Sequence, residues 1–501
     1  MPSPADEEQR LEAADAVPEA SVLRNSSWML VAQVLGVAIS GGVTILAVRV
    51  LSVTAWGDYT TALALVAIAT VFASSGIATL ALRKMSDDIE QQGSILGTSV
   101  VAIGGVAVLM AAAIFPVALG IGYGQDVIVL ATLAMPLIFL QPILALLQVA
   151  FNARHALYLA ARFLILQNAV YGVGAGVVLL LGLGAAGLVV ATVLAAVVGA
   201  AAAFSLLRRR FRVSPQVGVP RREVPTYLRA ALPLAGIGFV SIVYERLDIL
   251  MLSALSGAGD VARYSVAYNF MRLTAIVPSV VAAAFFPVLN RALQQGSMEE
   301  AKEKFFFVVR LFILFSLPLA LVLGVGAPVL VPFVFGSRYA NSAHMLEILA
   351  VTPVVAFQIY AFWYVILAVR RERRVLAVWI AGLLANVLLN AALIPRYGPA
   401  GAAWSWVSAE TLVATLQVYL VHRYAFRVPF RALLTRPAIA ALVIAPAAIA
   451  VGLRAPVVGA ALGGTACVAA LLVSGYIRGE ELKPIARALR SGVWLLQRRG
   501  T

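Results

Sequence analysis

Val243-Tyr244-Glu245-Arg246-Leu247-Asp248-Ile249-Leu250 places three charges within four positions of an otherwise apolar run over 230–254. An ionised side chain at the centre of a bilayer costs about 2.5–3.5 kcal/mol on insertion scales, so such residues face a partner or a water-filled cavity. The run reaches the length of about 20 residues that a helix needs to cross the hydrocarbon core. It therefore reads as a membrane helix with a polar face turned toward the interior of a bundle.

Working outward, comparable apolar runs occur at 26–48, 59–82, 94–119, 127–151, 160–182 and 185–207 before it, and at 264–289, 306–325, 345–369, 375–394, 401–421, 437–453 and 457–477 after it. With 230–254 they number fourteen. Hydrophobic residues make up 62% of the 501 and charged residues 12%, a balance that water-soluble globular chains do not have. Lipid offers backbone groups no partner, and runs this long are not the alternating strands of a barrel, so each reads as a helix. The chain is predicted to be an all-α polytopic membrane protein of about fourteen transmembrane helices. A second apolar patch at 327–335 reads as a re-entrant candidate.

The net charge of +15 is a topology signal rather than a nucleic-acid footprint, because the Lys and Arg fall almost wholly in short connections between apolar runs. Arg49, Arg263, Arg338, Arg396 and Arg454 are the five on one side. The termini and the alternate connections carry thirty-one of the 38, leaving Arg246 and Arg272 as two read as buried. That bias predicts a multi-pass protein with both termini cytoplasmic.

The same punctuation divides the chain. Residues 1–23 are acidic and read as a disordered cytoplasmic arm, 24–207 as a first six-helix bundle, and 208–229, with seven arginines and three prolines, as a basic cytoplasmic linker. Residues 230–422 read as a second six-helix bundle and 423–477 as two additional helices. In 478–501, Leu482, Ile485, Leu489, Val493 and Leu496 recur at helical spacing among basic residues, which reads as an amphipathic tail on an anionic inner leaflet. Cys467 is a single cysteine, and His155, His344 and His422 have no metal-ligand spacing, so neither a disulfide nor a metal site is expected.

A shift of about 205 residues lays Gly57-Asp58-Tyr59-Thr60-Thr61-Ala62 on Ala262-Arg263-Tyr264-Ser265-Val266-Ala267. A shift of about 214 lays Gly184-Ala185-Ala186-Gly187 on Gly398-Pro399-Ala400-Gly401. Each pair holds the same place in its half. Six helices per unit make the repeats parallel, two bundles around a central cleft with the last two helices outside the repeat.

The order and spacing of further residues resemble a known family. Arg24-Asn25-Ser26-Ser27-Trp28, Trp56-Gly57-Asp58-Tyr59, Ser75-Gly76-Ile77, Arg246-Leu247-Asp248 and Ala262-Arg263-Tyr264-Ser265-Val266-Ala267-Tyr268 carry the likeness. It continues through Phe286-Pro287-Val288-Leu289, Phe335-Gly336-Ser337-Arg338-Tyr339, Leu346-Glu347-Ile348-Leu349 and the stretch from Asn390 to Ala403. These residues resemble the O-antigen-type, Wzx-like polysaccharide flippases of the multidrug/oligosaccharidyl-lipid/polysaccharide exporter superfamily. The resemblance implies a non-enzymatic carrier of undecaprenyl-pyrophosphate-linked oligosaccharide repeat units. They would pass from the inner to the outer leaflet of a bacterial plasma membrane, for cell-surface polysaccharide such as lipopolysaccharide O-antigen. Membrane lipids, glycosyltransferases and a polysaccharide polymerase would be its partners. Ala55 and Trp56 before Gly57, and Ala262-Arg263, depart from the family's usual residues without disturbing the fold.

The embedded charges have two readings. Counting rise from the ends of the runs at 230–254 and 264–289 puts Glu245, Asp248 and Arg272 about 14, 9 and 12 Å deep, level with one another. Glu245 and Asp248, three apart, share a face that Arg246 does not. The two arginines and two carboxylates could then merely neutralise each other. Alternatively, Arg246 or Arg272 attracts a pyrophosphate, which guanidinium forks bind in bidentate fashion, while Glu245, Asp248 or Glu410 tunes the arginines or carries a coupling proton or cation. Tyr264, Tyr268 and Arg272 form one stripe that either packs or stacks a sugar, and Arg24 and Asn25 would meet the headgroup at the inner mouth.

No nucleotide-binding loop is present, so an ion gradient or the membrane potential, worth about 2.3 kcal/mol per charge per 100 mV, would drive alternating access. No cofactor is expected. A multidrug extruder or a lipid II flippase of the same superfamily is the alternative. A membrane-embedded polymerase would need acidic or histidine groups on large outer loops, and Asp58, Asp126 and Asp260 lie in short ones.

Overall fold

Every apolar run becomes one helical rod in the structure, a computed structural model that describes residues 19–216, 223–295, 297–369 and 371–477. The first six are α1 (Glu19–Val50), α2 (Val53–Asp87), α3 (Gln92–Ile121), α4 in two pieces (α4a, Gln125–Ala134; α4b, Pro136–Ala153), α5 (Leu157–Leu180) and α6 (Gly184–Phe211). Then come α7 (Glu223–Ser256), α8 (α8a, Ala258–Thr274; α8b, Ile276–Gln294), α9 (Met298–Phe335) and α10 (α10a, Ser342–Leu349; α10b, Thr352–Ala368). α11 (Glu372–Tyr397), α12 (Pro399–Tyr424), α13 (Phe430–Gly452) and α14 (Pro456–Val473) complete fourteen rods among the described residues. The arm at 1–23, apart from its last turn, and the tail at 478–501 lie outside the described residues.

Ten rods are long and apolar enough to cross a membrane alone, and α7 and α10 qualify as bent pairs. Among the described residues α8 and α12 are not in that set; α12 carries the polar side chains discussed below. Large apolar side chains such as Leu180, Leu442, Leu453 and Val473 are exposed, as lipid-facing residues are when lipid replaces water as their solvent.

Prolines set the breaks. α4 divides at Met135-Pro136, α8 two residues before Pro278, and α10 just before Pro353; α7 bends by 58° between Leu232 and Leu234, at Pro233. Proline lacks the donor for the preceding turn and its ring crowds the carbonyl four residues back, so the hydrogen-bond ladder breaks even though Met135 itself keeps helical dihedrals. The patch at 327–335 does not re-enter: it is the last three turns of α9, an unbroken 38-residue helix that contains Pro318, Pro328 and Pro332. The discontinuity lies in α10 instead, where α10a and α10b meet at 41°.

Several helices begin earlier than the apolar runs suggested, and two of these starts bear on the repeat. Ser52 caps α2, its side chain accepting from the backbone N–H of Ala55 at 3.1 Å, so Trp56-Gly57-Asp58 lies inside the helix. α8 starts directly after Gly257, whose φ of 93° a residue with a Cβ rarely adopts. The two starts, Val53 and Ala258, keep the 205-residue offset of the repeat.

Contacts divide the chain into two compact units, one ending at Arg246 and the other beginning at Leu247, within α7. In the first unit α1 packs on α5, α2 on α3, α4 and α6, α3 on α4, and α4 and α5 on α6. The second unit repeats that scheme six helices on: α8 packs on α9, α10 and α12, α9 on α10, and α10 and α11 on α12. α7 joins α11 through a side-chain hydrogen bond, and α13 and α14 pack on α9, outside the repeat. Gly184 and Gly398 both take positive φ, 69° and 56°. Three residues on, Gly187 and Gly401 both lie where a Cβ would meet the preceding connection or helix, at 2.6 Å for Val178 and 2.4 Å for the carbonyl oxygen of Leu393.

At Gly401 the obstructing atoms are all backbone, of Leu393 and Ile394. Gly401→Ala is expected to cost about 1–3 kcal/mol, the usual cost of forcing an extra methyl into a packed contact. A lower thermal midpoint of the purified protein in detergent would show it; an unchanged midpoint would mean that α11 and α12 can part freely.

Candidate functional site

Asp248 lies eight residues before the end of α7, about 12 Å along the helix, and is 1% exposed. Neutral donors hold it. The hydroxyl of Tyr264 donates to Oδ2 at 2.8 Å, and Nδ2 of Asn390 donates to Oδ1 at 2.6 Å. The same Nδ2 lies 3.0 Å from Oδ1 of Asn386, one turn earlier on α11. Tyr264 comes from the second turn of α8a, so three helices of the second unit meet at one carboxylate.

The cluster is polar but incompletely satisfied. Asn386 and Asn390 are fully buried, yet Nδ2 of Asn386 and Oδ1 of Asn390 have no hydrogen-bond partner among the described residues. Buried polar groups in that condition are costly, which makes them sites for a further ligand, ion or water. An aromatic row leads away from the carboxylate: Tyr264 stacks on Tyr268 with centroids 5.9 Å apart, and Tyr268 meets the edge of Trp406 on α12 at 5.1 Å. One turn beyond Trp406 comes Glu410, buried, and further along the same face Gln417, whose amide is fully buried with no hydrogen-bond partner among the described residues. These side chains are why α12 is too polar to pass as an ordinary membrane span.

The arginines are placed differently from the expected level set of buried charges. Arg246 is half-buried and Arg272 exposed. α8 begins six residues before 264, so Arg272, fourteen residues along it, lies about 21 Å from its start, two turns deeper than counted. Tyr264 takes the level assigned to the arginine. The i,i+3 spacing of Glu245 and Asp248 predicts one shared face, but Glu245 is exposed and Asp248 buried. Three residues turn a helix through about 300°, and the edge of the buried sector falls between them.

Mutual neutralisation does not account for Asp248 or Arg246, since neither has an ion-pair partner among the described residues. Nε of Arg246 is itself buried without a hydrogen-bond partner. The side chains of Arg24 and Asn25 lie outside the described residues. Sequence reasoning gave no role to Asn386 or Asn390; their signal was two amides one turn apart in an apolar run, a costly pair in lipid.

The first unit has its own polar locus. The α7 segment before the bend reaches α3 through the Tyr227 and Ser99 hydroxyls, 2.8 Å apart, and the amine of Lys84 lies 5.0 Å from the centroid of the Tyr227 ring. A cavity of about 600 Å³ opens beside them, walled by Lys84, Asp87, Gln91, Ser94, Thr98 and Thr226 among others.

Residues 45–344 match the profile of the family described as polysaccharide biosynthesis protein. The chain belongs to this family. No curated protein sequence matches it. Among solved structures it is similar to the lipid II flippase MurJ in an inward closed conformation, with TM-score 0.69 and 13% identity over 88% of this chain and 98% of that one. An inward-facing multidrug resistance MATE transporter of the MOP superfamily gives TM-score 0.65 and 18% identity over 77% and 93%. A MOP superfamily transporter from Pyrococcus furiosus, described as having a binding pocket of reverse polarity that suggests a different function, gives TM-score 0.56 and 17% identity over 80% and 94%. At these identities the likeness establishes the fold of a family member whose structural relatives are transporters and flippases.

Proposed function

We propose that this member of the polysaccharide biosynthesis family is a flippase for undecaprenyl-pyrophosphate-linked oligosaccharides, working by alternating access in a bacterial plasma membrane. The observation that carries the reading is Arg246: a guanidinium within a membrane helix whose buried Nε has no hydrogen-bond partner and which has no carboxylate partner among the described residues. An arginine is protonated at any physiological pH, so it calls for an anion, and a pyrophosphate offers paired oxygens that fit its fork. Arg272 would extend the anion path, and Tyr268, half-buried, would stack a sugar face, whereas the Tyr264 ring is buried and its hydroxyl engaged by Asp248. Arg24 and Asn25 would meet the headgroup at the inner mouth, with both termini cytoplasmic.

Asp248 takes the coupling role in this proposal, with Glu410 and Glu245 as further acids. Its carboxylate and the amide oxygens of Asn386 and Asn390 are hard oxygen donors, suited to a proton or a monovalent cation. Glycosyltransferases would supply the cargo and a polymerase consume it.

The test is leaflet exchange of a polyprenyl-pyrophosphate-linked sugar in liposomes holding the purified protein. Arg246→Ala is expected to slow exchange at least tenfold while leaving the thermal midpoint close to wild type; Arg272→Ala should have the same sign with a smaller effect. A well-folded Arg246→Ala protein that moves the lipid at the wild-type rate would remove the anion-binding role. The buried acids Asp248 and Glu410 are the observation favouring a drug extruder. Wild-type protein that expels a cationic dye and ignores the lipid under every imposed gradient would establish that reading instead.

A further inference from the structure

At the arginine-rich ends of α11 and α12, three guanidiniums converge on one ring. The Cζ atoms of Arg374, Arg371 and Arg423 lie 4.1, 5.1 and 5.6 Å from the centroid of Tyr424. Arg374 also donates to the Tyr424 hydroxyl. All three arginines are exposed, and none has a carboxylate partner among the described residues. A cation over such a half-buried ring is held only weakly. One ring face cannot serve three cations equally, and their mutual repulsion remains. Water and salt screen part of that repulsion, and an anion seated among the three would relieve the rest.

The surface beside the cluster says what kind of anion. On α11, Arg373, Ala377, Ile380, Leu384 and Leu388 recur at helical spacing and are all exposed. On α12, Leu412, Thr415, Tyr419 and Arg423 do the same. The α11 stripe is apolar beyond Arg373, the neighbour of Arg374, and the α12 stripe of Leu412, Thr415 and Tyr419 is mixed and ends at Arg423 of the cluster. The α11 stripe runs from Arg373 to Leu388, about 22 Å, more than the 15 Å or so of one leaflet's hydrocarbon. A free anion has no use for such a surface, whereas a lipid has both parts. In addition, Arg371 is the N-cap of α11 and makes no side-chain capping bond, so the positive end of that helix faces the same locus.

We propose that Arg371, Arg374 and Arg423 around Tyr424 bind the phosphate of an anionic phospholipid whose acyl chains lie along the exposed stripes of α11 and α12. The site is independent of the cargo. It secures the two helices that carry Asn386, Asn390 and Glu410, so the lipid composition of the leaflet bears on the coupling cluster.

The test is native mass spectrometry of the full-length protein with phosphatidylglycerol, with phosphatidylcholine, and with phosphatidylglycerol against millimolar inorganic phosphate. Wild type is compared with the triple variant Arg371→Gln/Arg374→Gln/Arg423→Gln. Its control is Arg208→Gln/Arg209→Gln/Arg210→Gln, which removes the same charge from the exposed end of α6. The first triple variant is expected to lose phosphatidylglycerol affinity roughly tenfold or more, since each basic residue near an anionic surface contributes about 1 kcal/mol. The control should keep it, and phosphatidylcholine should bind weakly throughout. Equal losses in both triple variants would mean diffuse attraction to any basic end and overturn the site. Inorganic phosphate displacing the lipid at equal concentration would make it a free-anion site and overturn the lipid assignment. If the triple variant does not fold, Tyr424→Leu removes the ring without changing charge; a severalfold loss of phosphatidylglycerol supports the site, and unchanged binding overturns it.

Discussion

Asp248→Ala is expected to lower stability by about 3 kcal/mol, because it removes a buried hydrogen-bonded carboxylate and leaves buried donors behind. The Tyr264 hydroxyl and Nδ2 of Asn390 each lose their bond to it, and three helices lose the atom at which they meet. Asp248→Asn separates stability from charge. The amide has the size of the carboxylate; its oxygen can accept from Nδ2 of Asn390 while its NH2 donates to the Tyr264 hydroxyl, which accepts as well as donates, so the midpoint should fall less than in the alanine variant. Transport should fall as far in both, because asparagine cannot take up a proton and carries no charge to balance a bound cation. The measurement is a thermal midpoint in detergent beside leaflet exchange in liposomes. A well-folded asparagine variant with wild-type exchange would make Asp248 a purely structural tie.

That pairing shows what the sequence could and could not disclose. Asp248 was conspicuous because a carboxylate in an apolar run is expensive, and the cost is local. Its partner Asn390 lies 142 positions away, and nothing along the chain joins the two. Only the packing of α7 on α11 does so, and the closest clue was the parallel repeat, in which α1 packs on α5. The fourteen rods were legible because helix length and apolarity are set by the bilayer rather than by neighbours. Their ends were less so. Gly257 starts α8 in a stretch that is barely apolar, and the six-residue difference was enough to put Arg272 two turns from its expected level. The continuity of α9 through Pro328 and Pro332 was illegible for the opposite reason, since local proline chemistry argued for a break that tertiary packing overrides.

Gly76→Leu is expected to have the largest effect outside the cluster, through geometry rather than charge. A Cβ on Gly76 would lie 2.1 Å from the carbonyl oxygen and 2.9 Å from the carbonyl carbon of Ala231, and 3.1 Å from Cβ of Ala235. The first two are backbone atoms of α7 and cannot rotate aside, so α2 and the α7 segment before the bend must separate. Separation also strains the contact of Tyr227 with Ser99 and the position of Lys84 over the Tyr227 ring, which hold the same segment. Overpacking of this kind costs about 1–3 kcal/mol, and loss of one buried hydroxyl pair adds about 1 kcal/mol. The midpoint should fall by several degrees, and backbone amides over 224–232 should exchange with solvent faster while those in the middle of α3 do not. Gly105→Ala is the contrast, since nothing lies within 4 Å of its Cβ. There the added methyl only restricts the unfolded chain and improves helix propensity, and a small gain of about 0.5–1 kcal/mol is expected. If Gly76→Leu left both the midpoint and the exchange of 224–232 unchanged, the close approach of α2 to α7 would not be what fastens that segment, and the bend at Pro233 would have to hold it alone.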